Sequence, residues 1–164
     1  MQMENQDFTT TFVVDKSAND AYNAINNPRA WWSEEIVGST DSINGEWSYH
    51  YQDLHRCEMK VIELIPDRKV VWLVTDNYFN FTTDKTEWIG TKVLFDISEE
   101  GGQTQVRFTH EGLVPDYECY EICYNAWSGY LNNSLRPLIE TGIGAPNKGT
   151  DITSHDQIGM ESKQ

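Results

Sequence analysis

The stretch "AWSGYLNNSLRPLIETG", residues 126–142, decides the fold. Together with the residues just before it, it sets Tyr120, Tyr124, Trp127, Leu131, Leu135 and Leu138 at spacings of three and four, the period of a helix with one apolar face. It reads as the long closing helix, beginning after Pro115 and stopped near Gly142. Pro137 predicts a kink in its last turns, and Gly129 lowers helix stability while allowing another backbone or a ligand to come close. A face built on Trp127 and leucines needs a broad apolar partner.

The segments before it supply one. Phe8, Phe12 and Val14 alternate with Thr9, Thr11 and Val13, which reads as a first strand. Ser17 can cap a short helix, with Asp20 answering three residues later and Ala21, Ala24 and Ile25 forming its apolar stripe. Pro28 then suits the start of another helical turn, after which Trp31 and Trp32 stand side by side. On a helix two neighbours cannot share a face, so one indole is expected in the core and the other at a cavity or the surface. From Glu46 to Gly112 five strand-like runs follow. Trp47, Tyr49 and Tyr51 share one face, as do Thr91, Val93, Phe95 and Ile97, and Val106, Phe108 and His110. Short connections between them predict an antiparallel meander, while "DNYFNFTTDKTEW", residues 76–88, has no clear period and reads as a longer loop or an irregular strand edge.

The fold class is therefore α+β: a bent antiparallel sheet with an apolar face, gripping one long C-terminal helix, with two short helices after the first strand. A chain of 164 residues is the size of one domain, placed over residues 1–143, and the polar residues 144–164 read as a flexible tail. Aromatic residues make up 12% of the chain, enough to furnish both a core and a cavity wall. The net charge of -14 repels phosphate backbones and anionic lipid, which argues against nucleic acid and membrane surfaces as partners. No stretch is long and apolar enough to span a bilayer, the first residues lack a secretory pattern, and three cysteines make no disulfide framework, so a cytoplasmic protein is expected.

Three motifs carry a resemblance: "NPRAWW" at residues 27–32, "FTHEGL" at 108–113 and "AWSGYLNNSLRPLIETGIGAP" at 126–146. With the order of elements, they resemble the helix-grip superfamily that includes START and birch-pollen-allergen-like proteins, called SRPBCC. Within it the chain is similar to bacterial members of the family named after the activator of the heat-shock-protein-90 ATPase homologue. The resemblance implies a pocket between sheet and long helix that accepts a small hydrophobic or amphipathic molecule. Carried over to this sequence, it implies a lining of Trp32, Tyr49, Tyr51, Trp72, Phe95, Phe108, His110, Tyr124 and Trp127. It also brings two further readings: an enzyme of the cyclase or dehydratase kind using the same cavity, with His110 and a tyrosine moving protons, and a co-chaperone.

Catalytic signatures are absent from the sequence: no phosphate-binding glycine loop, no G-x-S-x-G and no H-E-x-x-H. The carboxylates Glu46, Glu58, Glu63, Asp96 and Glu118 sit at solvent-facing positions, and Glu111 points away from His110. His55 and Cys57 share a strand face, and Cys119 and Cys123 lie one helical turn apart, yet without a C-x-x-C pair they read as buried thiols and not as a zinc site. No cofactor is expected, and the chain is expected as a monomer or a homodimer.

Overall fold

The computed structural model describes residues 7–51, 55–80, 83, 88–114 and 120–146. Seven strands form one antiparallel sheet in the order β1-β7-β6-β5-β4-β3-β2. They are β1 (Phe8–Val14), β2 (Val37–Gly38), β3 (Glu46–Tyr51), β4 (His55–Ile65), β5 (Lys69–Phe79), β6 (Lys92–Glu100) and β7 (Gln103–Glu111). The last five make the expected meander, and β1 closes against β7 with Phe8 opposite His110 and Phe12 opposite Val106. Helix α1 (Ala18–Ile25) and a 3-10 turn (Pro28–Ala30) lead out of β1. Ser17 caps α1 as its position predicted, its hydroxyl accepting the Asp20 N–H at 3.1 Å.

Alternation along the strands sorts the residues between core and solvent. Trp47, Tyr49 and Tyr51 on β3, Phe95 on β6 and Phe108 and His110 on β7 are all buried on the concave face. Strand β5 reaches Phe79, so the first part of residues 76–88 is an irregular strand edge, one of its two expected readings. The period breaks because Thr75 has no opposite residue on β4: Val74 pairs with Met59 and Asp76 with Glu58. Buried positions therefore switch from Val70, Trp72 and Val74 to Asn77 and Phe79. A bulge of this kind bends the strand and sharpens the local twist, which helps the sheet to curl around a helix.

The closing helix has three parts: α2 (Tyr120–Tyr130), a π turn (Leu131–Leu135) and α3 (Arg136–Thr141). The distortion expected at Pro137 falls one turn earlier. Pro137 has no N–H to offer the carbonyl four residues back, and the chain widens just before it so that the Arg136 N–H meets the Leu131 carbonyl. The wider turn has a packing consequence. Trp127, Leu131, Leu135 and Ile139 recur at strict intervals of four, a stripe that would drift around a regular α-helix by about 40° at each step, and all four are buried. Gly142 ends α3 in the left-handed conformation, with φ of 86°.

Beyond it, Gly144 and Ala145 were expected to begin a flexible tail. The Ala145 N–H instead donates to Ser134 Oγ at 2.7 Å, and Ser134 donates to the Trp31 carbonyl at 2.6 Å, which docks this segment on the body. The rest of the expected tail, from residue 147, lies outside the described residues. Among the described residues no helix is long and apolar enough to cross a membrane.

Candidate functional site

The concave face is covered by indoles. Trp31 and Trp32 both turn inward, 0% and 2% exposed: Trp31 lies in the core and Trp32 also borders a crevice, the division expected of the pair, although both share the inward side. The 3-10 turn ends at Ala30 and Trp31 leaves it with φ of -133°, so the rule for neighbours on a helix does not apply to the pair. Trp31 stacks toward Trp72 and meets Phe95 edge-on, while Trp32 lies against Tyr49 at 4.5 Å and Trp127 at 5.1 Å. From the helix side, Trp127 fills the remaining space against Phe108 at 4.7 Å and parallel to Trp88 at 5.8 Å. Each such ring pair contributes about 0.5–1.5 kcal/mol beyond the burial of its area.

One polar chain runs through this interior. The Trp127 indole N–H donates to Nδ1 of His110 at 3.1 Å. An indole can only donate, so Nδ1 is an acceptor and the ring proton sits on Nε2, which donates to Thr91 Oγ1 at 2.8 Å. The Thr91 hydroxyl then donates to the Trp88 carbonyl at 2.6 Å. Helix α2, strand β7 and the residues before β6 are joined through one imidazole. Burial away from water disfavours its charged form and lowers the His110 pKa to about 3. With both nitrogens engaged, the neutral His110 ring brackets these three elements together.

The space between α2 and the sheet is nearly closed. A narrow crevice remains, floored by Trp32, His55 and Trp88 and roofed by Ile122, Cys123, Ala126, Trp127 and Tyr130 of α2. It leaves about 10 Å³ for a water-sized sphere, barely the room of one water molecule. Among the described residues, side chains fill most of the space where the resemblance implies a cavity. Within the floor, the buried Trp88 indole N–H has no acceptor among the described residues. His55 donates from Nε2 to the Asn77 side-chain oxygen at 2.9 Å and packs between Phe79 and Trp88.

Of the residues named from the sequence, Trp32 and Trp127 border this crevice. Tyr49, Tyr51, Trp72, Phe95, Phe108 and His110 are buried in the aromatic layer on the sheet. Tyr124 does not join them: it is 45% exposed and meets the edge of Phe8 at 4.9 Å. The reason is helical phase, since Cys123, Trp127 and Tyr130 hold the inward face and Tyr124 falls beside it. His55, Trp88, Cys123, Ala126 and Tyr130 were not among the residues named as lining. Cys123 and Tyr130 carry the i, i+4, i+7 spacing with Trp127, a signal that could have found them. Trp88 stands at the end of a segment without a period, where nothing in the sequence marks it.

Glu46, Glu58 and Asp96 face solvent as expected, and Glu63 is half-exposed. Glu118 and Cys119 lie outside the described residues. His55 and Cys57 are both buried on one strand face, but among the described residues no three His, Cys, Asp or Glu side chains converge as a metal site. Burial, reinforced by Asp76 and Glu58, raises the Cys57 pKa and keeps it a thiol.

The His110 bracket has a pH signature. Its pKa is about 3 in the folded chain against an ordinary 6.5, so the unfolded chain takes up a proton below 6.5 that the folded chain refuses. Stability fully present above pH 6.5 is lost progressively as the pH falls toward 3, by up to about 1.4 kcal/mol per unit from this group. In urea titrations His110→Gln is expected to be about 1–3 kcal/mol less stable at neutral pH, and to lose stability less steeply between pH 6 and 5 than the native chain. Equal slopes for the two would remove His110 from that role.

With this geometry in view, known proteins place the fold. The solution structure of the Aha1 dimer from Colwellia psychrerythraea matches with a TM-score of 0.68 at 23% identity, over 85% of this chain and 99% of that one. CalU16 from Micromonospora echinospora matches with a TM-score of 0.63 at 15% identity, over 95% of this chain and 83% of that one. DynU16, a protein of the dynemicin biosynthetic locus, matches with a TM-score of 0.63 at 10% identity, over 84% of this chain and 48% of that one. No functionally curated protein matches the chain. The model of a family described as Activator of Hsp90 ATPase homolog 1-like protein matches residues 15–140. That span begins just after β1, takes in strands β2 to β7 and ends in the last turn of α3, and the chain belongs to this family.

Proposed function

We propose that the chain binds a small, neutral, largely aromatic molecule between α2 and the sheet, displacing the α2 side chains that now close the space. The observation that carries this reading is the Trp88 indole N–H, buried in the crevice floor without an acceptor among the described residues. A buried donor left unpaired costs about 1–3 kcal/mol, and a ligand oxygen can recover that cost. The crevice walls are largely aromatic and, among the described residues, contain no lysine or arginine, so they suit a flat neutral molecule better than an anion. The scaffold shared with CalU16 and DynU16 is in keeping with such a role. Lipid-like ligands fit the ring-lined walls less well. An acid–base enzyme using His110 is disfavoured, because both nitrogens are already engaged.

Two probes of equal shape separate acceptor recognition from simple burial: 2-acetylnaphthalene, which carries a carbonyl, and 2-ethylnaphthalene, which does not. Binding is read from the rise in unfolding free energy with ligand concentration. The ketone is expected to bind about tenfold more tightly, the effect of one hydrogen bond to a buried donor. Trp88→Phe should equalise the two. If neither compound stabilises the native chain saturably, the reading fails.

Membership of the Hsp90-activator family supports a second reading, a contact with a chaperone ATPase. Its measurement is chaperone ATPase turnover with the full chain in excess, where stimulation would favour this reading and an unchanged rate would remove it.

A further inference from the structure

A second hollow, about 480 Å³ in volume, shares no residue with the crevice. It is walled by Tyr22 and Asn23 of α1 and Asn26 at its C-terminal cap, by Arg29 of the 3-10 turn, and by Thr40 and Asp41 after β2. We propose that this hollow is a binding site for a neutral, hydroxyl-rich small molecule, a sugar or cyclic polyol of one or two rings.

The wall selects that chemistry by charge and by hydrogen-bonding type. Arg29 is its cation, and two of its donors are already used: Nε to the Ile36 carbonyl at 2.8 Å and Nη2 to the Gly38 carbonyl at 2.7 Å. Asp41 sets a carboxylate in the same wall, and the chain as a whole carries a net charge of -14, so an anionic ligand is disfavoured. A metal cation is disfavoured by the guanidinium. What remains are amides and hydroxyls, which both donate and accept as sugar hydroxyls do, together with the half-buried ring of Tyr22 against which the apolar face of a sugar ring can lie.

The wall is also preformed. Thr40 donates to the Asn26 carbonyl at 3.0 Å and holds the segment after β2 to the end of α1. Asn26 is 8% exposed; its amide Nδ2 donates to the Tyr22 carbonyl at 3.0 Å, while its Oδ1 has no donor among the described residues. Asn26 lines the hollow, and a ligand hydroxyl can pair its buried acceptor once the side-chain amide turns toward it.

The test is a titration of the full chain with D-glucose, maltose and myo-inositol, followed through backbone and side-chain amide NMR shifts. At least one compound is expected to give saturable shifts confined to residues 22–29 and 38–41, including the Asn26 side-chain amide. Asn23→Leu and Asp41→Leu, both at exposed positions, should weaken that binding about tenfold and leave the rest of the spectrum unchanged. Saturation with maltose alone would point to a sugar held at a chain end, and saturation with glucose or inositol to a free monomer. Absence of saturation with all three, or binding unaffected by both substitutions, would overturn the proposal.

Discussion

The indole N–H of Trp127 has to find an acceptor in an interior made almost wholly of rings. His110 Nδ1 supplies it, and much else depends on that pairing. Because the indole cannot accept, the imidazole must carry its proton on Nε2; because Nε2 then donates, Thr91 must stand opposite; and because Thr91 has a donor of its own, the Trp88 carbonyl is drawn in. One constraint therefore fixes the helix against β7 and orders the approach to β6. It also keeps His110 uncharged, since an imidazolium would have no lone pair to offer Trp127.

The strands and the helix of this fold were legible where a period was unbroken. Alternation placed Trp47, Tyr49, Tyr51, Phe95 and Phe108 on one face, and all are buried there. Where a local device resets the phase, the sequence pattern was less decisive: the bulge at Thr75 blurred the end of β5, and the change of backbone after Ala30 let two adjacent indoles turn inward together. The π turn belongs with these. A spacing of four from Trp127 to Ile139 hinted at it, but Pro137 drew the expected distortion to its own position. The site was less legible than the fold because its walls come from segments far apart. His55, Trp88 and Cys123 meet only in three dimensions, and whether rings fill a concave sheet or leave it open depends on their rotamers.

The molecule divides its concavities by chemistry. Between α2 and the sheet, aromatic side chains have closed an apolar space to about 10 Å³, so binding there must be coupled to movement of the helix side chains or of α2 itself. Beside the end of α1, a polar hollow of about 480 Å³ is already open, and only the Asn26 amide has to turn toward a ligand. The first lies within the grip of helix and sheet; the second is assembled from an asparagine-rich helix end and the Arg29 brace.

The account turns on the state of one imidazole, and long-range proton–nitrogen NMR of His110 reads it directly. The expected spectrum shows a bare Nδ1 and a protonated Nε2, unchanged from neutral pH to about pH 4.5, above the lowered pKa of about 3. A proton on Nδ1 at neutral pH, or an imidazolium formed near the ordinary value of 6.5, would contradict it.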